Sequence, residues 1–204
     1  MTYFIGDLHL FCKSQTNEGH TNYDGRPFDT VEQMNTEIMR RWNAKVNNGD
    51  TVVILGDMAF RGRNDALIGL VAQLRGRKIL IRGNHDSTAD YRSVKLFDEI
   101  VDYKEMTVAF GGKNYKLVCC HYPLMYWKDQ HRGTIHLYAH THNTVEDDFY
   151  QGAIAKMNSS EALSLRRQGG QKIIAINTGC MKPYMDYEPR SLEELMDALG
   201  YLEK

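Results

Sequence analysis

Nine residues of types that bind metal ions or move protons recur along this chain in short groups: Asp7-Leu8-His9, Gly56-Asp57, Gly83-Asn84-His85-Asp86, His121 and His140-Thr141-His142. Neutral imidazoles, the carboxylates of Asp7 and Asp57 and the amide oxygen of Asn84 suit manganese, iron, nickel or zinc rather than a serine or cysteine triad. The set is too large for one ion. Seven or eight donors with a central carboxylate able to bridge suit two divalent ions about 3.5–4 Å apart. Two aspartates against two dications leave a charge of about +2, which attracts a phosphate dianion or diester.

Each group, taken singly, has a plainer reading. A lone histidine is more often a hydrogen-bonded structural residue, and Gly83-Asn84-His85-Asp86 alone reads as a turn, because glycine and asparagine tolerate left-handed backbone. What separates the readings is the elements that must carry these residues. Short β-rich apolar runs occur at 2–5, 51–55, 78–81, 116–120, 134–138 and 172–176, each too short for a helix, as expected of strands buried on both faces. The polar groups follow five of these runs, so five of the eight histidines fall at or just past a strand's C-terminal end. In open α/β sheets that edge binds ligands.

Helical periodicity spans 31–46, with Val31, Met34, Ile38, Trp42 and Val46 on one face, and more weakly 65–74. Residues 104–110 and 115–120 around Gly111-Gly112-Lys113-Asn114 read as a hairpin, so the sheets are mixed. Ser191-Leu192-Glu193-Glu194 reads as a capping box opening a last helix that ends near Gly200. The class is α/β, and 204 residues without a linker or repeat form one expected domain. The segments 10–30 and 143–171 are long irregular stretches, a length that is usually functional.

A formal charge of -1, from 25 basic and 26 acidic residues, provides no global field for nucleic acid or an acidic membrane. The start MTYFIGDLHL has no basic segment ahead of an apolar one, and no run is long enough to span a bilayer. Cys12, Cys119, Cys120 and Cys180 lack CxxC spacing and read as buried free thiols. An unprocessed cytoplasmic protein is the expectation.

The motifs Asp7-x-His9, Gly56-Asp57, Gly83-Asn84-His85-Asp86, His121 and His140-x-His142 together resemble the calcineurin-like metallophosphoesterase superfamily, in the family's order and over most of the chain. A closer resemblance is to small bacterial and phage-type predicted phosphoesterases, through Arg26-Pro27-Phe28, Asn177-Thr178-Gly179 and Tyr187-Glu188-Pro189. Ala139 departs from the glycine usual before the histidine. The resemblance implies two mixed β-sheets packed as a sandwich flanked by helices, in four layers. It further implies one metal held by Asp7, His9 and His142, a second by Asn84, His121 and His140, and Asp57 bridging. His85 would lie just outside the metals, donating a proton to the leaving oxygen or steadying a phosphate oxygen, with Asp86 orienting it.

The expected function is therefore dinuclear metal-dependent phosphoester hydrolysis by a metal-bridging hydroxide, with manganese foremost and iron, nickel or zinc as alternatives. The expected partner is a small phosphorylated substrate, in one version a nucleotide. A scaffold that binds metal without catalysis, and a nuclease, are the alternatives; near-neutral charge disfavours long nucleic acid. The loop Met58-Ala59-Phe60-Arg61-Gly62 disfavours a protein phosphatase, because that branch has an acidic continuation there. Arg26 and Arg61 are the preferred phosphate contacts among Arg26, Arg61, Arg63, Lys128 and Arg132. Tyr122, Tyr126 and Trp127 could offer a base-stacking surface, although core packing is the commoner fate. His136, alternating along its strand, reads as structural.

Overall fold

The computed structural model describes residues 1–59, 65–86, 96–165 and 171–202. Among these residues the strands form two sheets. The first is ordered β4 (Glu99–Val101), β3 (Arg77–Ile81), β2 (Thr51–Ile54), β1 (Thr2–Ile5) and β9 (Arg190–Ser191), parallel except for the β1–β9 pair. The second is ordered β5 (Tyr103–Phe110), β6 (Lys113–Cys120), β7 (Ile135–Tyr138) and β8 (Ala175–Asn177), with β5–β6 antiparallel and the rest parallel.

Helices α1 (Val31–Lys45), α2 (Asp65–Gln73), α3 (Val145–Met157), α4 (Ser160–Leu165) and α5 (Leu192–Ala198), with the short 3₁₀ turns Lys13–Gln15 and Gln130–Arg132, complete the described elements. One apolar core draws on both sheets and on α1, α2 and α5, with Phe4, Ile54, Leu117, Leu137, Ile38, Trp42 and Leu195 all fully or almost fully buried. A second core packs the opposite face of the second sheet, through Val118, Tyr138 and Ala175, against Tyr150 and Ile154 of α3. This is the expected sandwich of two mixed sheets between helical layers. It explains why the buried ends of β6 and β7 are apolar on both faces apart from His136: successive residues such as Leu117 and Val118, or Leu137 and Tyr138, enter different cores.

Local signals account for most element ends. Thr30 Oγ1 accepts the Gln33 N–H to cap α1, and both halves of the Ser191–Glu194 capping box form at α5. The β5–β6 turn is tighter than expected: Gly111 and Gly112 alone form it, at φ 55° and 73°, as a two-residue turn requires. The run 172–176 pairs as a strand only from Ala175, because the Asn158 side chain occupies both backbone groups of Ile173, at 2.8 Å each.

The stretch 143–171, expected to be irregular, instead contains α3 and α4. The buried positions of α3 are Asp147, Tyr150 and Ile154, whereas Val145 and Phe149 are exposed. A polar residue inside the helix stripe and apolar residues outside it erased the amphipathic pattern.

His136 is fully buried on β7. Its Nε2 accepts the Leu124 N–H at 3.0 Å and its Nδ1 lies 3.1 Å from the Val118 carbonyl, so the neutral ring is satisfied. Burial pushes its pKa down to about 4. Between that value and the unfolded pKa of about 6.5 the unfolded chain binds the extra proton, so stability rises with pH through this window. His136 therefore contributes about 3 kcal/mol that is fully present above pH 6.5 and lost as pH falls toward 4. Denaturant titrations of metal-free protein across this range should show a steeper pH slope for the wild type than for His136→Gln; equal slopes would contradict this.

Candidate metal centre

The strand ends of the two sheets are stitched together where the ligand-type residues lie. Gly6, just past β1, donates to Thr178 O at 2.8 Å and accepts from Cys180 N at 2.9 Å, while Thr178 N donates to Tyr138 O at the end of β7. This brings the end of β1 from one sheet beside the ends of β7 and β8 from the other. Ala139 also belongs to this seam: a Cβ built on Gly6 would stand 2.6 Å from the Ala139 Cβ, so one of the two must be glycine.

Five of the expected ligands occupy left-handed backbone, with φ 51° at Asp7, 47° at His9, 52° at Asp57, 71° at His140 and 48° at His142. Such conformations cost non-glycine residues on the order of 1–3 kcal/mol each and persist only where surroundings over-determine them. Asp7 N donates to Gly56 O and His9 N to Asp57 O, which lace the two loops together. Gly83 permits the next approach, since a Cβ there would lie 2.1 Å from Asp57 Oδ1. Gly83 also opens the expected turn, its carbonyl accepting the Asp86 N–H at 3.3 Å, but its φ is not positive, so close packing rather than left-handed backbone is what requires glycine here.

The resulting side chains converge in two groups, Asp7, His9 and His142, and Asp57, His121 and His140, whose ligand atoms lie within 4.8 Å of one another in each. Asp57 Oδ2 is 3.6 Å from both His9 Nε2 and His121 Nε2, placing one carboxylate oxygen between the groups. Asn84 Oδ1 is 3.2 Å from His121 Nε2, and His9 Nε2 is 3.2 Å from His142 Nε2. Donor atoms about 2.1 Å from a shared cation stand roughly 3.0–3.5 Å apart, so these separations fit metal ligation.

Tautomers support the same reading. The other ring nitrogen of His121 meets Leu55 O at 2.6 Å, and that of His142 meets Asp24 Oδ2 at 2.8 Å. Both partners are acceptors, so Nδ1 carries the proton and Nε2 presents a lone pair inward. At His121 that lone pair faces two oxygen acceptors, an unfavourable meeting without a cation. Burial first, then the neighbouring Arg26 and histidine charges, pushes the His9 pKa down to about 2, keeping that ring neutral, and its Nδ1 is buried without a partner among the described residues. The residues present fit two divalent cations.

The surrounding shell was largely invisible in the sequence. Asp24 lies next to the Arg-Pro-Phe segment; burial works against its ionised form, but the His142 hydrogen bond and the Arg26 charge together hold its carboxyl below the usual range. Arg26 is 1% exposed and sits beneath the loop rather than in the cavity, donating to Asp7 O at 2.7 Å, to Leu8 O at 2.8 Å and to both Asp24 oxygens. The expected phosphate contact is therefore corrected to a buried clamp on the Asp7–His9 loop.

Asp147 plays the matching part for the His140–His142 loop: its Oδ1 accepts from Tyr138, Thr141 and Asn177, and Lys182 pairs with Oδ2 at 2.7 Å. Asn177, of the Asn-x-Gly motif, also donates to His142 O.

His85 lines the cavity over the two groups, its ring centroid 5.3 Å from that of His9, and its backbone N–H donates to Asp57 Oδ1 at 2.9 Å. Asp86, expected to orient the His85 ring, accepts instead from the backbone N–H groups of Asp57, Met58 and Gly83 at 2.8–3.0 Å. It is a staple between two ligand loops. Arg61 and Arg63 lie outside the described residues. Of the aromatic residues, Trp127 belongs to the second core and donates to Thr134 O, Tyr126 is exposed, and Tyr122 stands edge-on to His140 at 4.8 Å.

The α/β sandwich thus carries two facing groups of metal-type donors at its strand ends, candidates for holding divalent ions. The chain belongs to the calcineurin-like phosphoesterase family, whose sequence model matches residues 2–180. It is 31% identical over 112 residues to MJ1445 of Methanocaldococcus jannaschii, covering 53% of this chain and 62% of that protein. Over 88 residues it is 35% identical to the Gene 66 protein of Mycobacterium phage L5, covering 42% and 39%. It thus spans less than two thirds of either curated relative's length. The crystal structure of AQ665 from Aquifex aeolicus shares the fold, with a TM-score of 0.64, 23% identity and 98% of each chain covered. Among the described residues no helix is long and apolar enough to cross a membrane.

Proposed function

We propose that this chain hydrolyses phosphoester bonds of small substrates, diesters or nucleotides, at a dinuclear divalent-metal centre, with manganese foremost. The observation that carries the reading is Asp57 Oδ2, equally 3.6 Å from a ring nitrogen of each group, where one oxygen can serve two ions. Mixed nitrogen and oxygen donors including carboxylates and an amide suit manganese, and iron, nickel and zinc remain compatible. Two such ions, when bound, would lower the pKa of water toward neutrality and polarise the phosphorus–oxygen bond.

The chain's own residues supply the rest. Asp7 and Asp57 offset part of the cation charge, leaving about +2 to attract an anionic ester. Asn84 contributes a neutral oxygen and so preserves that excess. His85, facing the cavity, donates a ring proton to the departing oxygen as its bond to phosphorus breaks. The cavity, about 270 Å³, and the near-neutral net charge favour a small molecule over long nucleic acid.

Metal-free protein reloaded with manganese, iron, nickel, cobalt or zinc should bind two ions per chain. It should also hydrolyse at least one of a set of phosphomonoesters, aryl diesters, cyclic nucleotides and dinucleoside polyphosphates. Two bound ions without any hydrolysis would favour the inert scaffold. Asp57→Asn should weaken retention of both ions by more than the roughly 10–100-fold that loss of an outer hydrogen-bond partner costs, as metal analysis after dialysis would read.

A further inference from the structure

The loop ahead of Asp24 walls the cavity above the two donor groups. Gln15 ends the short 3₁₀ turn Lys13–Gln15, is 5% exposed, and lines that cavity together with Thr21, Tyr23 and His85. Its side-chain Oε1 is buried with no hydrogen-bond partner among the described residues. A buried amide oxygen left without a donor is unfavourable, and a leucine would fill the space without that cost. Tyr23, which lines the same cavity, is 58% exposed, its ring standing edge-on to His142 at 5.3 Å. A buried polar amide and an exposed aromatic ring thus both line a small, otherwise metal-directed cavity.

We propose that Gln15 determines specificity by hydrogen-bonding the base of a nucleoside-type substrate, with the Tyr23 ring as the flat surface beside that base. This rests on the phosphoesterase reading above. A carboxamide presents a donor and an acceptor side by side, the complement of an adenine edge, and every base can stack on tyrosine. A sugar phosphate would satisfy the amide but leave the ring unused; a simple aryl ester would meet the ring but leave the amide oxygen unpaired.

The test is calorimetric titration of manganese-loaded wild type and Gln15→Leu with AMP and with inorganic phosphate, alongside hydrolysis of bis(4-nitrophenyl) phosphate. The wild type should bind AMP about tenfold or more tighter than phosphate, and Gln15→Leu should abolish the difference with phosphate affinity unchanged. Equal affinities in the wild type, or an undiminished preference in the variant, would overturn the proposal. So would a parallel fall in both affinities, which would assign Gln15 to packing of the loop. Failure of bis(4-nitrophenyl) phosphate and of every other ester in the set above to turn over, while the AMP preference depends on Gln15, would reject the catalytic reading and leave the base pocket standing.

Discussion

Arg26→Met should unfold well below the wild type and lose its grip on the first metal, even though the substituted side chain touches no substrate. The guanidinium is buried, and it satisfies the carbonyls of Asp7 and Leu8 as well as the carboxylate of Asp24. Removing it leaves a buried carboxylate without its countercharge, takes the Arg26 donor from Leu8 O and leaves Asp7 O only the Cys180 thiol. Breaking a buried pair in this way costs about 3–5 kcal/mol. For a chain of this size that corresponds to a fall in Tm on the order of 10 °C or more, measurable on metal-free protein by thermal denaturation. Metal affinity should fall about 10–100-fold beyond this, because Asp24 holds the His142 ring and Arg26 holds Asp24.

Asp24→Asn offers an independent route to the same centre. It keeps the shape but offers His142 Nδ1 either a neutral oxygen or a competing N–H, so it should weaken metal retention with a smaller loss of stability. A phosphate-contact role for Arg26 makes the opposite forecast: unchanged Tm, unchanged metal content and a raised KM. An Arg26→Met protein with that profile would return the arginine to the substrate side.

Arg26 also shows where sequence reasoning reaches and where it stops. The ligands were legible because strands buried on both faces admit few polar side chains, His136 with both ring nitrogens satisfied being one, so clusters of histidine and aspartate stand out where each run ends. The chain then brings together Asp7, His9, Asp57, His121, His140 and His142 as their positions led one to expect. The supporting residues have no such background. Asp24 and Gln15 sit in a loop rich in polar residues, where one more aspartate or glutamine carries no signal. Asp147 is worse hidden, being acidic in the first turn of a helix where acidic residues usually face solvent. An arginine beside a ligand loop reads equally well as a phosphate contact or as a clamp, and only the depth of burial separates them.

The same limit applied to Asp86, whose adjacency to His85 suggested an orienting contact. Sequence neighbours in a tight turn project in different directions, and the carboxylate caps three backbone N–H groups across two loops. Helix α3 was missed for a related reason. Its inward face is organised by the hydrogen bonds of Asp147 as much as by Tyr150 and Ile154, and hydrophobic periodicity cannot register that.

His85→Ala should keep both metals and the fold while losing about 10²–10⁴ in turnover on alkyl phosphoesters. The structure explains why this separation is attainable. Among the described residues the loop is held by the His85 backbone N–H to Asp57 and by the three bonds of Asp86, and these four bonds do not use the imidazole of His85. Alanine leaves these four in place, so metal content should match the wild type. The loss should depend on the leaving group. An alkoxide needs a proton as its bond to phosphorus breaks, whereas a nitrophenolate is stable enough to depart without one, so aryl esters should lose much less. A uniform loss on both classes would point to His85 steadying a phosphate oxygen instead, and unchanged rates on both would remove it from the reaction. The ratio of alkyl to aryl turnover, measured at equal metal occupancy, therefore reads the proton directly, while metal binding alone would not distinguish an enzyme from a scaffold built on the same ligands.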